Sequence, residues 1–415
     1  MTNIHRGIAA LLCALFIAVA PTALANERGA NATTVRPEVG RPLQAALNLL
    51  KDRKAKAALE KISEADAIKD KTPFESYMIL RLRAQAESAA GDRAAAARDF
   101  EATATAAAAP VAERLQFLAI AAGQYYAAKE YAKAAEVAGS YFKAGGREPA
   151  VRTIYVQALY LSNDFPRAAK ELLADVEAEE QAGKAPSEQD LQIVANCYLK
   201  MNDQSGYSAT LMALVKYHPK QAYWADLLAR IQRKPGFSDR LTLDVFRLML
   251  ATGTLKEQSD FMEMAQLSLQ AGLPAEAKKV VDEGYAKGVL GKGKEAERQN
   301  RLRTLANKLA ATDPKSFVES EKEASASKDG DALVALGYAY VTNSRFEKGL
   351  SLMEQGIAKG GLKHPEDAKL HLGIAYLQAG NLAKAQRILR SVKGSDGTAE
   401  LAQLWMIQGS RVDGT

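Results

Sequence analysis

The chain has 415 residues, with 55 Lys and Arg against 49 Asp and Glu, a formal net charge of +6, and only 7% aromatic residues. It is too long for one ordinary compact core, yet no Pro/Gly/Ser-rich linker divides it. Its alanine-rich composition without long β-branched runs favours an all-α fold. The charges of both signs are interspersed, unlike the basic stripe of a nucleic-acid-binding protein, so we expect no nucleic-acid partner.

The first 25 residues have the three parts of a secretory signal peptide. A basic start at His5 and Arg6 precedes an apolar run from Ile8 to Ala20, and small residues then lead to Ala25. We predict cleavage after Ala25, so residues 1–25 are removed. The apolar run of 13 residues is short against the roughly 20 that span a bilayer, so we expect no stable membrane insertion of the mature chain.

Residues 26–40 mix Gly, Asn, Thr and Pro without periodicity and predict a flexible leader. Helical periodicity then continues over residues 41–410, and it is clearest at 331–392, where one pattern occurs twice. Gly337 matches Gly373, and Gly349 matches Ala385, each pair at an offset of 36 residues. Such an offset predicts a repeated helix-turn-helix unit.

Each unit is placed by the residue that opens its second helix. These positions are Ala57, Ala96, Ala134, Ala168, a bulkier Tyr207, Ala277, Gly349 and Ala385. The two long gaps, before Ala277 and before Gly349, predict degenerate units near residues 241–250 and 314–324, giving about ten units in all. A helix at about 399–409 is predicted to cap the array, with Glu400, Gln403 and Gln408 on its polar face.

The Leu-Gly-x-x-Tyr runs at Leu336 and Leu372 resemble the first helix of the tetratricopeptide repeat. That resemblance implies an α-solenoid, a superhelix of antiparallel helix pairs whose first helices line a groove for a peptide or partner helix. The groove residues that the resemblance implies are Tyr126, Gln157, Tyr160, Gln192, Asn196, Gln266, Tyr338 and His371. About half of these are equally consistent with packing between helices. The Lys and Asn set that clamps a peptide carboxylate in some members is absent at these positions.

The segment from Tyr223 to Leu250 departs from the repeat, because Pro235 and Gly236 break a helix there. It resembles periplasmic tetratricopeptide proteins described as components of the TonB system of Gram-negative bacteria. That resemblance implies a periplasmic protein of the cell envelope with a role in TonB-dependent uptake. The irregular segment is also a candidate for binding specificity.

Three candidate chemical sites have simpler structural interpretations. The run from Gly288 to Glu295 matches a phosphate-binding loop except at its final Ser/Thr, and a predicted helix precedes it where that loop needs a strand, so we interpret it as an inter-repeat loop. Cys197 has helix-periodic apolar neighbours, which predict a buried, inert thiol. His218, His364 and His371 do not have the spacing of a zinc site. We therefore expect no catalytic residue, no metal and no cofactor.

Together these features predict a non-enzymatic scaffold or adaptor that binds a protein partner in the cell envelope. The alternative is a carbohydrate-directed or enzyme-associated helical module in peptidoglycan or envelope turnover. A glycan groove should be rich in Trp, and the only tryptophans are Trp224 and Trp405. This scarcity favours a protein ligand.

Overall fold

The computed structural model describes residues 34–412, without the side chains of residues 313–315, 411 and 412. Within that part of the chain every regular element is a helix. The predicted signal peptide and its cleavage site lie outside the described residues. Contacts divide the chain into two compact units, residues 34–186 with 192–203 and residues 187–191 with 204–412.

Unit 1 is an all-α solenoid with four helix pairs and most of one further helix. Residues 192–200 of that last helix belong to unit 1. Its helices are α1 (Pro37–Lys51), α2 (Ala55–Asp66), α3 (Pro73–Ala90), α4 (Arg93–Thr105), α5 (Val111–Ala127), α6 (Tyr131–Lys143), α7 (Pro149–Leu161), α8 (Phe165–Gln181) and α9 (Glu188–Lys200).

Unit 2 has the same all-α architecture with two departures, an irregular connection before α12 and one long helix, α15. Its helices are α10 (Gln204–Tyr217), α11 (Gln221–Gln232), α12 (Thr242–Ala251), α13 (Gln258–Gln270), α14 (Pro274–Ala286), α15 (Ala296–Ala326), α16 (Asp331–Thr342), α17 (Phe346–Lys359), α18 (Pro365–Gln378), α19 (Leu382–Ser391) and α20 (Thr398–Val412). A 3-10 turn, Asp239–Leu241, precedes α12.

The tight turns inside the helix pairs share one backbone geometry. A residue with positive φ ends the first helix of the pair, and the next N–H bonds to the carbonyl five residues back, as from Asp92 to Glu87 (3.0 Å) and from Asn381 to Tyr376 (2.9 Å). These bonds are Schellman caps, which satisfy carbonyls that a helix end leaves unpaired. The positive-φ residues are Arg53, Gly91, Lys129, Asn163, Asn202, Gly272, Ser344 and Gly380. Their spacing follows the predicted repeat, including both long gaps.

The small residues predicted to open the second helices are buried, with one exception. Ala96, Ala134, Ala168, Ala277 and Ala385 are fully buried, and Gly349 and Tyr207 are buried as well. In the first pair the predicted Ala57 is only half-buried, whereas its neighbour Ala58 is fully buried. The prediction is therefore one residue early in that pair, because two adjacent alanines satisfy the same pattern.

Two other boundaries differ from the predictions. Helix α1 begins at Pro37, inside the range predicted as a flexible leader, because proline at the first helical position suits a helix start. The degenerate unit predicted at 314–324 is part of one continuous helix of 31 residues, α15. The flanking sequence is rich in Ala, Lys, Glu and Leu, which favour helix continuation over a turn.

The last helix of unit 2 returns to earlier helices of the same unit. Helix α20 packs on α10, α12, α18 and α19, and the Gln408 amide donates to the Ala251 carbonyl (3.0 Å). Arg240 bonds to both carboxylate oxygens of Asp367 (2.7 and 2.9 Å) and to Asp396 (2.6 Å). Residues 398–412 therefore form the predicted terminal helix, but the chain itself covers part of its polar face. Only Gln403 of the three polar residues expected there is largely exposed.

None of the described helices combines the length and the apolar character needed to cross a membrane.

Candidate functional site

Three of the predicted groove residues lie together on the first helices of unit 1. Tyr126 near the end of α5 donates a hydrogen bond to the Gln157 side-chain oxygen on α7 (2.7 Å), so these two first helices contact each other directly. Tyr160 stands one turn after Gln157 on α7. Tyr126 and Tyr160 are 34 residues apart, the local repeat length, so both tyrosines occupy the same position of successive units.

Each of these two tyrosines packs edge-on against an aromatic residue of the adjoining second helix. The Tyr126 and Tyr131 rings lie 5.5 Å apart, as do the rings of Tyr160 and Phe165. Tyr131 and Phe165 open α6 and α8, and they too are 34 residues apart. This edge-to-face geometry favours fixed ring orientations. Both tyrosines are half-buried, so each remains partly accessible to solvent.

Amide side chains form a second row beside the tyrosines. Gln157 aligns with Asn196 of α9, 39 residues on, and with Gln85 of α3, two units earlier. The unit between α3 and α7 has Gly123 at this position, where the nearest atom to an added Cβ would be 3.9 Å away. Asn196 and Gln192 are exposed on α9, whereas Gln85 and Gln157 are half-buried. Exposed Leu199 continues the tyrosine row on the same helix.

We call this surface the amide–tyrosine face. It comprises Gln85, Gln157, Asn196, Tyr126, Tyr160 and Leu199. Gln85 and Leu199 were not predicted from the sequence, although both follow from extending the repeat register to α3 and α9. Primary amides offer both a donor and an acceptor, and tyrosine adds apolar area with a polar tip. The face can therefore bind a backbone with free hydrogen-bonding groups and pack against its side chains.

The predicted residues of unit 2 occupy a different environment. Tyr338 on α16 is 4% exposed, and its ring centre lies 5.3 Å from that of His371 on α18. The His371 Nε2 atom is 2.9 Å from the Asp244 Oδ1 atom, and Arg247 lies over the Tyr338 ring at 4.8 Å. Asp244 and Arg247 both belong to α12. Two residues predicted to face a ligand thus contact a helix of the same unit.

Arg247 is the centre of this buried network. Its guanidinium makes a two-point contact with Glu276 of α14 (2.8 and 2.8 Å) and a third bond to Asp244 (2.8 Å). The side chains of Arg247 and Asp244 are 6% and 3% exposed. Burial opposes ionisation of Asp244, but the charges of His371 and Arg247 outweigh it and lower the Asp244 pKa to about 2. Burial also raises the pKa of the Tyr338 hydroxyl.

The network residues Asp244, Arg247 and Glu276 were not predicted from the sequence. A signal exists in α12, where Asp244 and Arg247 are the only charged residues of an otherwise largely apolar helix and stand three apart. The remaining predicted residue, Gln266 of α13, is half-buried and takes no part in the network. The predicted set therefore separates into an accessible group in unit 1 and, in unit 2, the buried Tyr338 with the half-buried His371 and Gln266.

The two other sequence candidates have the predicted structural roles. The glycine-rich run follows helix α14 and leads into α15, and Gly288, Gly291 and Gly293 all have positive φ. The interpretation as an inter-helix loop is confirmed, because a phosphate-binding loop requires a preceding strand.

Cys197 is buried, and burial raises its thiol pKa to about 11, which disfavours the reactive thiolate. Within the described residues no group of His, Cys, Asp and Glu could hold a metal ion.

No protein-family model matches the chain, and no curated protein matches it either. Solved structures do match, and the crystal structure of yeast Tom70 is among them. Tom70 is 10% identical to this chain, with 90% of this chain and 96% of that chain covered and a TM-score of 0.25. The helix pairs, their turns and the repeat register described above show an all-α solenoid independently of these matches.

Proposed function

We propose that this protein is a non-enzymatic scaffold that binds an extended segment of a protein partner on the amide–tyrosine face. The main support for this proposal is that Gln85, Gln157 and Asn196 occupy equivalent positions on α3, α7 and α9. A parallel row beside them contains Tyr126 and Tyr160. Repeated first helices that present recurring side-chain types form an extended recognition surface, as solenoids use.

Burial of the tryptophans supports a protein ligand over a glycan. Trp224 is 1% exposed and Trp405 is 7% exposed, so neither ring is available for stacking on a sugar. The carbohydrate-directed alternative lacks its most useful side chain on the accessible surface. A shift of the melting temperature by muropeptides, together with no captured protein, would reverse this preference.

Photo-crosslinking in cells tests the proposed face directly. A benzoylphenylalanine residue is placed at Asn196 or Tyr160, and Lys170, exposed on the second helix α8, is the matched control position. We expect a specific protein adduct from the first two positions and none from Lys170. Equal labelling from all three positions, or none from any, contradicts the proposal.

We further propose that the scaffold acts in the periplasm of a Gram-negative envelope and contributes to TonB-dependent uptake. The signal peptide predicted for residues 1–25 and the resemblance of the Tyr223 to Leu250 segment support this proposal. N-terminal sequencing of the periplasmic fraction should give a chain that starts at Asn26. A strain lacking the protein should take up a labelled TonB-dependent substrate more slowly, and plasmid-borne protein should restore the rate. Unchanged uptake contradicts the pathway but leaves the binding face to be tested separately.

A further inference from the structure

The amide–tyrosine face repeats at the distance between neighbouring first helices. Direct contacts join these helices in series: Gln124 of α5 donates to Ser88 of α3 (2.7 Å), Tyr126 of α5 to Gln157 of α7 (2.7 Å), and Val194 of α9 packs with Val156 of α7. Packed helices have axes about 8–10 Å apart. A ligand that lies across the first helices therefore meets equivalent side chains about every 8–10 Å.

A peptide must therefore present the same side at steps of about 8–10 Å. In a β-strand, side chains return to the same side every two residues, or roughly 6.6–6.8 Å. The residue three positions further on, at about 10 Å, points to the opposite side. A polyproline II helix repeats every three residues at about 3.1 Å each, or roughly 9.3 Å. An α-helix repeats approximately every seven residues, roughly 10.5 Å. The repeat distances of the polyproline II helix and the α-helix are therefore the closest to the spacing of the first helices.

The amides of the face decide between those two conformations. An α-helix already uses its backbone N–H and C=O groups internally, whereas a polyproline II backbone makes no internal hydrogen bonds. Gln85, Gln157 and Asn196 can bond only to a backbone whose groups are free. The Tyr126 and Tyr160 rings match the same ligand, because aromatic-lined grooves accommodate proline-rich segments in this conformation.

We infer that the amide–tyrosine face recognises a polyproline II segment with a three-residue apolar repeat, one repeat for each first helix. This inference rests on the proposed function and specifies its ligand. Gln85, Gln157 and Asn196 bond to the ligand backbone opposite α3, α7 and α9, and Tyr126, Tyr160 and Leu199 pack on the apolar residues opposite α5, α7 and α9. The gap at Gly123 leaves one triplet without an amide partner.

Three synthetic peptides test the inference on the full mature chain by calorimetry. The first contains four Leu-Pro-Pro triplets, the second has the same composition with its leucines contiguous, and the third is an α-helical peptide with leucines at heptad spacing. We expect binding of the first alone. Preferential binding of the helical peptide, or equal binding of the first two, overturns the inference.

Variants locate the binding surface. Asn196→Ala and Tyr160→Ala should each weaken binding of the triplet peptide by about tenfold, as loss of a central contact does, whereas Lys170→Ala should change it less than about twofold. Circular dichroism checks that each variant folds. Because Asn196 is exposed and Tyr160 is half-buried, Asn196→Ala should disturb the fold less than Tyr160→Ala. If the triplet peptide fails to bind while crosslinking at Asn196 still captures a partner, the ligand class is wrong and the proposed face stands. If both experiments fail, both proposals are wrong.

Discussion

Gly337 and Gly349 face each other across the α16–α17 pair, and a Cβ added to either would lie 2.6 Å from the carbonyl oxygen of the other. Gly330 and Gly356 make a second approach of this kind further along the same two helices. Two backbones can come this close only where neither residue has a side chain. The α16–α17 pair, which belongs to the clearest repeat of the sequence, therefore has two close glycine-to-glycine contacts between its helices.

Replacing Gly337 with Ala should destabilise unit 2 by about 1–3 kcal/mol, because the methyl group meets backbone atoms that cannot move aside. The matched control is Gly123→Ala in α5, where the nearest atom would be 3.9 Å from the new Cβ. There the better helix propensity of alanine should stabilise the protein by about 0.5–1 kcal/mol. Urea unfolding of both variants measures the difference. A stabilising Gly337→Ala would mean that the helices are further apart.

Alanine-to-leucine substitutions test the repeat register. Ala168→Leu and Ala385→Leu should each cost about 1–3 kcal/mol, because both alanines are fully buried between helices. In the first pair Ala58→Leu should have a similar cost, whereas Ala57→Leu should change stability by less than about 0.5 kcal/mol. Melting temperatures of the four variants give the comparison. The opposite order at residues 57 and 58 would restore the register predicted from the sequence.

Glu87 should reduce the stability of unit 1 as the pH rises. Burial and then the nearby Asp99 charge raise its pKa to about 7 from a usual 4.5, and its Oε2 atom has no hydrogen bond. The folded state therefore holds this proton more tightly, and stability falls between about pH 4.5 and 7. Glu87→Gln should gain roughly 1–2 kcal/mol over wild type at pH 8 and little at pH 4.5.

The control for Glu87 is Glu64→Gln, which removes one partner of an exposed ion pair with Lys61. Its effect on stability should stay below about 0.5 kcal/mol at every pH. Thermal unfolding from pH 4.5 to pH 8 provides the measurement. Parallel pH profiles for wild type and Glu87→Gln would show that the Glu87 carboxyl is ordinarily solvated.

Asp244 should stabilise unit 2 with the opposite pH dependence. Its folded pKa of about 2 lies below the usual 3.8, so its contribution is present above about pH 4 and is lost as the pH falls through 2. Asp244→Asn should cost about 1–3 kcal/mol at pH 7, because Arg247 and His371 lose a buried charged partner. The cost should shrink as the pH approaches 2.

The comparison for Asp244 is Glu297→Gln, which breaks an exposed pair with Arg301 in the same unit. We expect a change below about 0.5 kcal/mol there. Denaturant unfolding at pH 7 and at pH 3 measures both variants. A cost for Asp244→Asn as small as that of Glu297→Gln would contradict a structural role for the network.

Local signals explain which parts of the fold the sequence predicts. Asn163, Gly272 and Gly380 adopt positive φ at low cost, so the tight turns follow from residue type and spacing. Helix α15 was missed for the complementary reason, since a continuous helix and a broken pair share the same helix-forming composition. The contact between Asp244 and His371 was harder still to predict, because these residues are 127 positions apart in the sequence. No local pattern specifies that pairing.

The candidate site divides in the same way. Tyr126, Gln157 and Tyr160 lie within neighbouring repeats, so one register relates them and their shared face could be predicted. Tyr338 and His371 also lie on the first helices of their pairs, but the repeat pattern does not reveal that α12 contacts them. That helix comes from the segment where the repeat pattern fails, and only the three-dimensional arrangement places it there.

The return of α20 to α10 and α12 also bears on how unit 2 folds. Contacts such as Lys234 with Glu400 and Gln408 with Ala251 join residues 166 and 157 apart, whereas unit 1 is joined mainly through neighbouring helices. Closing a long chain segment carries an entropic cost before its contacts form, and such non-local contacts slow folding. We expect unit 1 to form and lose its helix pairs progressively. Unit 2 should acquire its last helix in a late, cooperative step, so chains still being synthesised would complete unit 1 well before unit 2.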